Sequence, residues 1–216
     1  MKIPDPPLIV VTDRSQAHQP LGAIVAAGLK AGCRWISLRE KDLADVEVIL
    51  LARRLLPLTR SADARLLLHG EASLAKLAGV DGVHLSAGAD TGAARAVLGP
   101  EKLIGVSIHT VIEAEAIDEK SVDYALAGPA FETPSKPGYG PEIGRKGLAD
   151  IVGAARVPVL AIGGINATRV GELIAAGAAG VAVMGRVMRA TDPAQEVGGL
   201  VASLRGALAI TARDKC

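Results

Sequence analysis

The sequence predicts a single (β/α)8 barrel with residues 1–216 as one domain. Three observations point there. Short β-branched runs alternate with longer helical patterns along the whole chain, eight such runs can be counted, and 216 residues fall within the roughly 200 to 250 that eight strand–helix units need. A doubly wound open sheet would show the same alternation, because periodicity does not report closure.

The first strand is expected in "LIVVTD" (Leu8–Asp13) and the second in "WISLRE" (Trp35–Glu40), with an amphipathic helix over Leu43–Leu58 after it. "RLLLHG" (Arg65–Gly70) and "GVHLS" (Gly82–Ser86) give the third and fourth, and "LIGVSI" (Leu103–Ile108) the fifth. A helix over Val111–Glu119 follows, opened by Thr110 three residues before Glu113 in the pattern of a capping box. "VDYALAG" (Val122–Gly128), "VPVLAIGG" (Val157–Gly164) and "GVAVMG" (Gly180–Gly185) complete the set. No low-complexity linker divides the chain.

Composition narrows the function classes. Hydrophobic residues make up 50% of the chain, enough for a large core, but aromatics are only 2%, so stacking platforms for nucleic-acid bases are excluded. A net charge of +1 leaves no electrostatic footprint for nucleic acid or an anionic membrane. Cys33 and Cys216 are far apart and suggest neither a disulfide framework nor a metal knuckle, which fits a reducing compartment. The prolines of "MKIPDPPLIVVTDR" do not suit a signal peptide, and no run reaches the ~18 apolar residues of a membrane span. A cytoplasmic protein with small-molecule partners is expected; homo-oligomerisation is left open.

In such barrels the active site is built at the carboxyl ends of the strands. Reading those positions gives Arg39, Glu40 and Lys41 after the second strand, His69 after the third, and Ser107 and His109 after the fifth. The stretch "GPAFETPSKPGYGP" (Gly128–Pro141), after the sixth, centres Thr133, Ser135 and Lys136 in a loop of glycine and proline that suits a phosphate clamp. Gly163 and Gly164 follow the seventh strand, and Met184, Gly185 and Arg186 the eighth, where barrels often bind phosphate on backbone amides. A plain strand-to-helix turn would also account for the glycines, and solvation alone would account for Arg39 and Lys41. His84, flanked by Val83 and Leu85, reads as a core or wall histidine, and His18 as a surface residue.

The fragments "VTDR", "LREKD", "GVHLS", "GVSIHTVIEA", "GPAFETPSKPG", "AIGGI" and "GVAVMG" occur in an order and spacing that resembles the thiamine phosphate synthase/TenI family, from Leu8 to about Pro193. The resemblance implies a (β/α)8 barrel and one of two activities. The synthase branch joins a pyrimidine diphosphate to a thiazole phosphate and releases pyrophosphate with Mg²⁺; the TenI branch isomerises a thiazole carboxylate phosphate. It further implies that Arg39, Lys41, Ser107 and Lys136 lie where the synthases hold diphosphate. Thr133 and Ser135 match the hydroxyl residues of the family's loop, and Gly163, Gly164, Met184 and Gly185 match its thiazole phosphate cradle.

Departures from the synthase pattern shape the expectation. His69-Gly70-Glu71 replaces an Asn-Asp-Arg whose Asp is a Mg²⁺ ligand, "SAGAD" with a displaced Asp90 replaces the segment holding the second metal Asp, and Ser37 replaces a Gln. Pro129 stands where TenI has its proposed catalytic His. The expected function is therefore a TenI-like, metal-independent thiazole tautomerase with His69, His109 and Lys136 as catalytic candidates, no metal ligands and no cofactor. The alternatives are a thiamine phosphate synthase with an altered Mg²⁺ site, the one case that would need Mg²⁺, and a non-catalytic phosphate-binding or regulatory protein.

Overall fold

The computed structural model describes residues 3–133 and 142–213. Eight parallel strands close into a barrel in chain order: β1 (Leu8–Val11), β2 (Trp35–Leu38), β3 (Arg65–His69), β4 (Gly82–Leu85), β5 (Leu103–Ile108), β6 (Tyr124–Ala127), β7 (Val159–Ile162) and β8 (Gly180–Val183). Closure is made by β8 against β1, with Leu8 opposite Val181 and Val10 opposite Val183, so the open-sheet alternative is excluded. The surrounding helices are α1 (Leu21–Lys30), α2 (Asp45–Ser61), α3 (Ala72–Ala78), α4 (Thr91–Leu98), α5 (Val111–Glu115), α6 (Gly144–Ala154), α7 (Val170–Ala175), α8 (Gly185–Met188) and α9 (Pro193–Arg213).

Alternation along each strand sorts the side chains into two cores. Leu8, Val10, Ile36, Leu66, Val83, Ile104, Val106 and Val181 face outward and pack with the helices in one large buried cluster. Ile9, Val11, Trp35, Leu67, Leu103, Tyr124, Leu126, Leu160 and Ala182 fill the interior. The rings of Trp35 and Tyr124 meet edge-on there, with centroids 4.7 Å apart at 71°. Such a pair contributes about 0.5–1.5 kcal/mol beyond its burial, and it closes the bore beneath the mouth. In the next inward positions toward the mouth the strands carry Ser37, His69, His84 and Ser107, so the barrel interior turns polar there.

Several elements end earlier than the sequence predicts. β1 stops at Val11 and β2 at Leu38: the Thr12 amide still donates to Ser37 O at 2.9 Å, but the Arg39 amide then bonds the Thr12 side chain, which in turn donates to Glu40 at 2.6 Å. The expected Val122–Gly128 and Val157–Gly164 strands shorten to β6 and β7, and Gly185 begins α8 rather than ending β8. α5 ends four residues short of Glu119, because Asp118 turns the chain by accepting the Lys120 amide at 3.0 Å. The capping box is present: Thr110 Oγ1 accepts the Glu113 amide and Glu113 Oε2 accepts the Thr110 amide. α2 starts at Asp45 rather than Leu43 and continues past Pro57 to Ser61. Among the described residues, no helix is long and apolar enough to cross a membrane.

Candidate functional site

A cavity of about 580 Å³ opens at the carboxyl ends of the strands. That is within the range of small-molecule sites. Its lining includes Arg39, His69, Ser107, His109, Thr133, Gly163, Gly164, Met184 and Gly185. Nine of the twelve candidate residues thus converge on one space. Lys41 does not: it is exposed and outside the lining, since the chain turns outward after the buried Glu40. Ser135 and Lys136 lie outside the described residues.

One side of the mouth is organised by the β1 and β2 ends. Thr12 Oγ1 accepts the Arg39 amide at 3.0 Å and donates to Glu40 Oε1, while the Arg14 amide donates to Glu40 Oε2 at 2.9 Å. Burial pushes the Glu40 carboxyl above its ordinary range, and the hydrogen bonds from Thr12 and Arg14 offset that only in part. The guanidinium of Arg39 sits 3.7 Å from Asp13 and is largely shielded from solvent, with its side chain 12% exposed. Partial burial raises Asp13, but hydrogen bonds from Ser15 and Gln16 and the charge of Arg39 outweigh it and leave the carboxyl below its usual value. Asp13 therefore stays anionic and holds Arg39 at the cavity wall.

The opposite side is formed by the β6, β7 and β8 ends. The Ala130 amide donates to Ile162 O at 2.8 Å and the Phe131 amide to Gly163 O at 3.2 Å, so the segment after β6 lies directly on Gly163 and Gly164. Both glycines have positive φ, +103° and +64°. A Cβ on Gly163 would come 2.9 Å from Pro129 Cα, and one on Gly164 would come 2.5 Å from Glu132 O. These glycines are required by backbone conformation and close loop packing as well as by any ligand. Arg169 donates to Gly164 O at 2.7 Å with its guanidinium 4.3 Å over the Phe131 ring. Gly185 opens α8 at the same rim.

The histidines separate into three environments. His109 donates from Nδ1 to Gly128 O at 2.6 Å, a carbonyl that can only accept, so a neutral ring carries its lone pair on Nε2. Its amide donates to the capping Glu113 at 2.6 Å. His69 lines the cavity at the end of β3 and stands opposite His84 in the β3–β4 register, their ring centroids 4.6 Å apart. His84 is fully buried, as the sequence suggests, but it is not inert: its two nitrogens contact Tyr124 Oη and Ser107 Oγ. His18 is exposed.

The donor chemistry does not suit a Mg²⁺ ion held by protein carboxylates, which needs several convergent oxygens. Glu71 is the exposed residue before α3, and Asp90 Oδ1 is engaged by the Ala93 amide at 2.9 Å at the start of α4. Neither lines the cavity, and among the described residues no group of three His, Cys, Asp or Glu is placed to hold a metal. The cavity is also lined by Arg186, read with Met184 and Gly185 at the β8 end, and by Asn166, Arg169, Arg189, Glu132 and Glu196, which the strand-end reading does not single out. Arg186 pairs with Glu196, and Arg189 with Gln16. Arg186 is legible as part of "MGR", whereas Arg169 and Arg189 lie on helical turns beyond the strand ends and carry no local signal.

Comparisons with known proteins show which family this chain resembles over nearly its whole length. Residues 8–187 match the family model described as thiamine monophosphate synthase. A thiamine-phosphate synthase of Roseiflexus sp. (strain RS-1) is 40% identical over 94% of this chain and 87% of its own length. A putative thiamine-phosphate synthase of Geobacter sulfurreducens is 40% identical over 91% of this chain and 93% of its own. Among solved structures, a thiamine phosphate pyrophosphorylase from Pyrococcus furiosus superposes with a TM-score of 0.83 at 31% identity, covering 93% of this chain and 96% of that one.

Proposed function

Since the chain belongs to the thiamine monophosphate synthase family, a family of thiamine biosynthesis, we propose that it joins a pyrimidine diphosphate to a thiazole phosphate and releases pyrophosphate. The observation that carries this reading is a single cavity with an anion-receptive wall at each side. Arg39 and Ser107 face it from the β2 and β5 ends, and Gly163, Gly164 and Gly185 from the β7 and β8 ends. Two phosphate-bearing substrates need two such places, whereas an isomerase of one phosphate ester needs one.

In this reading the diphosphate lies against Arg39 and Ser107. The guanidinium is already held by Asp13, and the backbone that carries it by Thr12 Oγ1, itself bonded to Glu40, so little freedom is lost on binding, and its charge is matched to the negative charge that grows on the departing pyrophosphate. Synthases of this family use Mg²⁺ for that neutralisation. The carboxylates near the β3 and β4 ends do not fit such an ion, so charge stabilisation falls to Arg39 and Ser107. Backbone amides around Gly164 and Gly185 hold the thiazole phosphate, and the apolar Leu126, Ile162 and Val183 exclude water between the two ends.

A tautomerase reading is favoured by one observation, the fixed Nδ1–H of His109, which leaves Nε2 as a base of suitable chemistry at the same cavity. Purified protein assayed for both reactions, in chelator and in Mg²⁺, tests the choice. Pyrophosphate release that requires both substrates is expected, with Arg39→Gln lowering kcat by about 10²-fold, the usual effect of removing one group that stabilises developing charge. Isomerisation of the thiazole carboxylate phosphate, without pyrophosphate release under either condition, would replace the synthase reading with the tautomerase.

A further inference from the structure

Beneath the cavity, Tyr124, His84 and Ser107 form a hydrogen-bonded chain: Tyr124 Oη to His84 Nδ1 at 3.1 Å, and His84 Nε2 to Ser107 Oγ at 2.9 Å. The backbone makes room for it at one residue. Gly105 is the strand partner of both His84 and Tyr124, and a Cβ there would come 2.1 Å from Tyr124 Cζ and 2.5 Å from its Oη. Only glycine leaves space for the phenol to reach the histidine. His69 covers the other side of the His84 ring.

The direction of the chain follows from donor counting. Tyr124 is fully buried, and desolvation pushes its phenol well above the ordinary value, so it keeps its proton. That O–H must be donated, because a buried donor without an acceptor costs about 1–3 kcal/mol. Tyr124 shares the interior with Trp35, Leu67, Leu103 and Leu126, whose side chains offer no acceptor, whereas His84 Nδ1 lies within hydrogen-bond reach. With Nδ1 accepting, a neutral ring carries its hydrogen on Nε2 and donates to Ser107 Oγ. The serine's own O–H is then turned away from His84, toward the cavity it lines.

We propose that His84 is a positioning residue, set by Tyr124 in the Nε2–H form, which holds Ser107 as a hydrogen-bond donor to the anion bound at the β2–β5 side. The opposite tautomer would draw the serine hydrogen inward and present oxygen lone pairs to an anion. The proposal rests on the proposed function in placing an anion beside Ser107.

The test uses ¹⁵N-histidine-labelled protein, with the His84 resonances assigned by their loss in His84→Asn. A pyridine-type Nδ1 and pyrrole-type Nε2 are expected in the wild type, and Tyr124→Phe should shift the ring toward the other form. Inorganic pyrophosphate binding, measured by calorimetry, should weaken roughly tenfold in Ser107→Ala, the effect of one hydrogen bond to a charged group, and several-fold in Tyr124→Phe, which never touches the ligand. A pyrrole-type Nδ1 in the wild type overturns the proposal. So does a Tyr124→Phe variant that binds like wild type while Ser107→Ala does not, a result that leaves the proposed function standing. If neither variant changes pyrophosphate affinity, Ser107 is no anion ligand and the proposal falls, while the turnover assay still decides the reaction independently.

Discussion

A methyl group on Gly164 would meet Glu132 O at 2.5 Å and Phe131 Cβ at 2.7 Å, at a φ of +64° that side chains resist. Gly164→Ala is therefore expected to displace the segment after β6 and to lower stability by about 1–3 kcal/mol, seen as a fall in Tm, together with weaker binding of thiazole phosphate. An unchanged Tm with weakened binding would mean that the glycine serves the ligand alone. Glu40 gives a pH signature. Its folded carboxyl titrates above the unfolded value of about 4.3, so between the two the folded state binds more protons, and stability falls as pH rises through that window. Asp13, held below its usual value, works in the opposite direction at lower pH. Chemical denaturation across pH should show the Glu40 slope in wild type and its loss in Glu40→Gln; an unaltered slope would assign it to other groups. Single residues are legible in the sequence wherever they lie at or just past the carboxyl end of a strand, as Arg39, His69, Ser107 and Gly164 do. Asp13 as the partner of Arg39 is not, because that pairing joins the ends of different strands.

The capping box before α5 ties an element to the site. Glu113 Oε2 accepts the amides of both His109 and Thr110, at 2.6 and 2.9 Å, so the helix start also fixes the backbone that carries the cavity histidine. Glu113→Ala should cost about 0.5–2 kcal/mol of stability, as the loss of a helix cap does, and should broaden or shift the His109 ring resonances in NMR spectra. A stability loss with unmoved His109 signals would confine Glu113 to capping. The box is visible in the sequence because it is local, three residues apart. The Tyr124–His84–Ser107 chain is not, because it depends on the register that sets His84 and Tyr124 on either side of Gly105. A glycine in the middle of "LIGVSI" is its one trace there, and a glycine inside a strand can equally mark a bulge or a bend.

For the molecule as a whole, closure of β8 on β1 is what brings loops from separate strands around the barrel to one cavity. Eight strands can be counted in the sequence, but neither closure nor the outward turn of Lys41 can be read there, since both depend on strand tilt and loop path rather than on residue pattern. The proposed coupling reaction requires this cavity to hold two phosphate-bearing ligands at once, one at Arg39 and Ser107 and one at Gly163, Gly164 and Gly185. Calorimetric titration of thiazole phosphate into protein already saturated with inorganic pyrophosphate decides whether it does. Thiazole phosphate is expected to bind still, one per chain, with affinity unchanged or improved, and Arg39→Gln to weaken pyrophosphate without weakening the thiazole phosphate. Mutual exclusion of the two ligands would contradict this, because it would mean that the mouth has one anion site and cannot seat both partners of a coupling reaction.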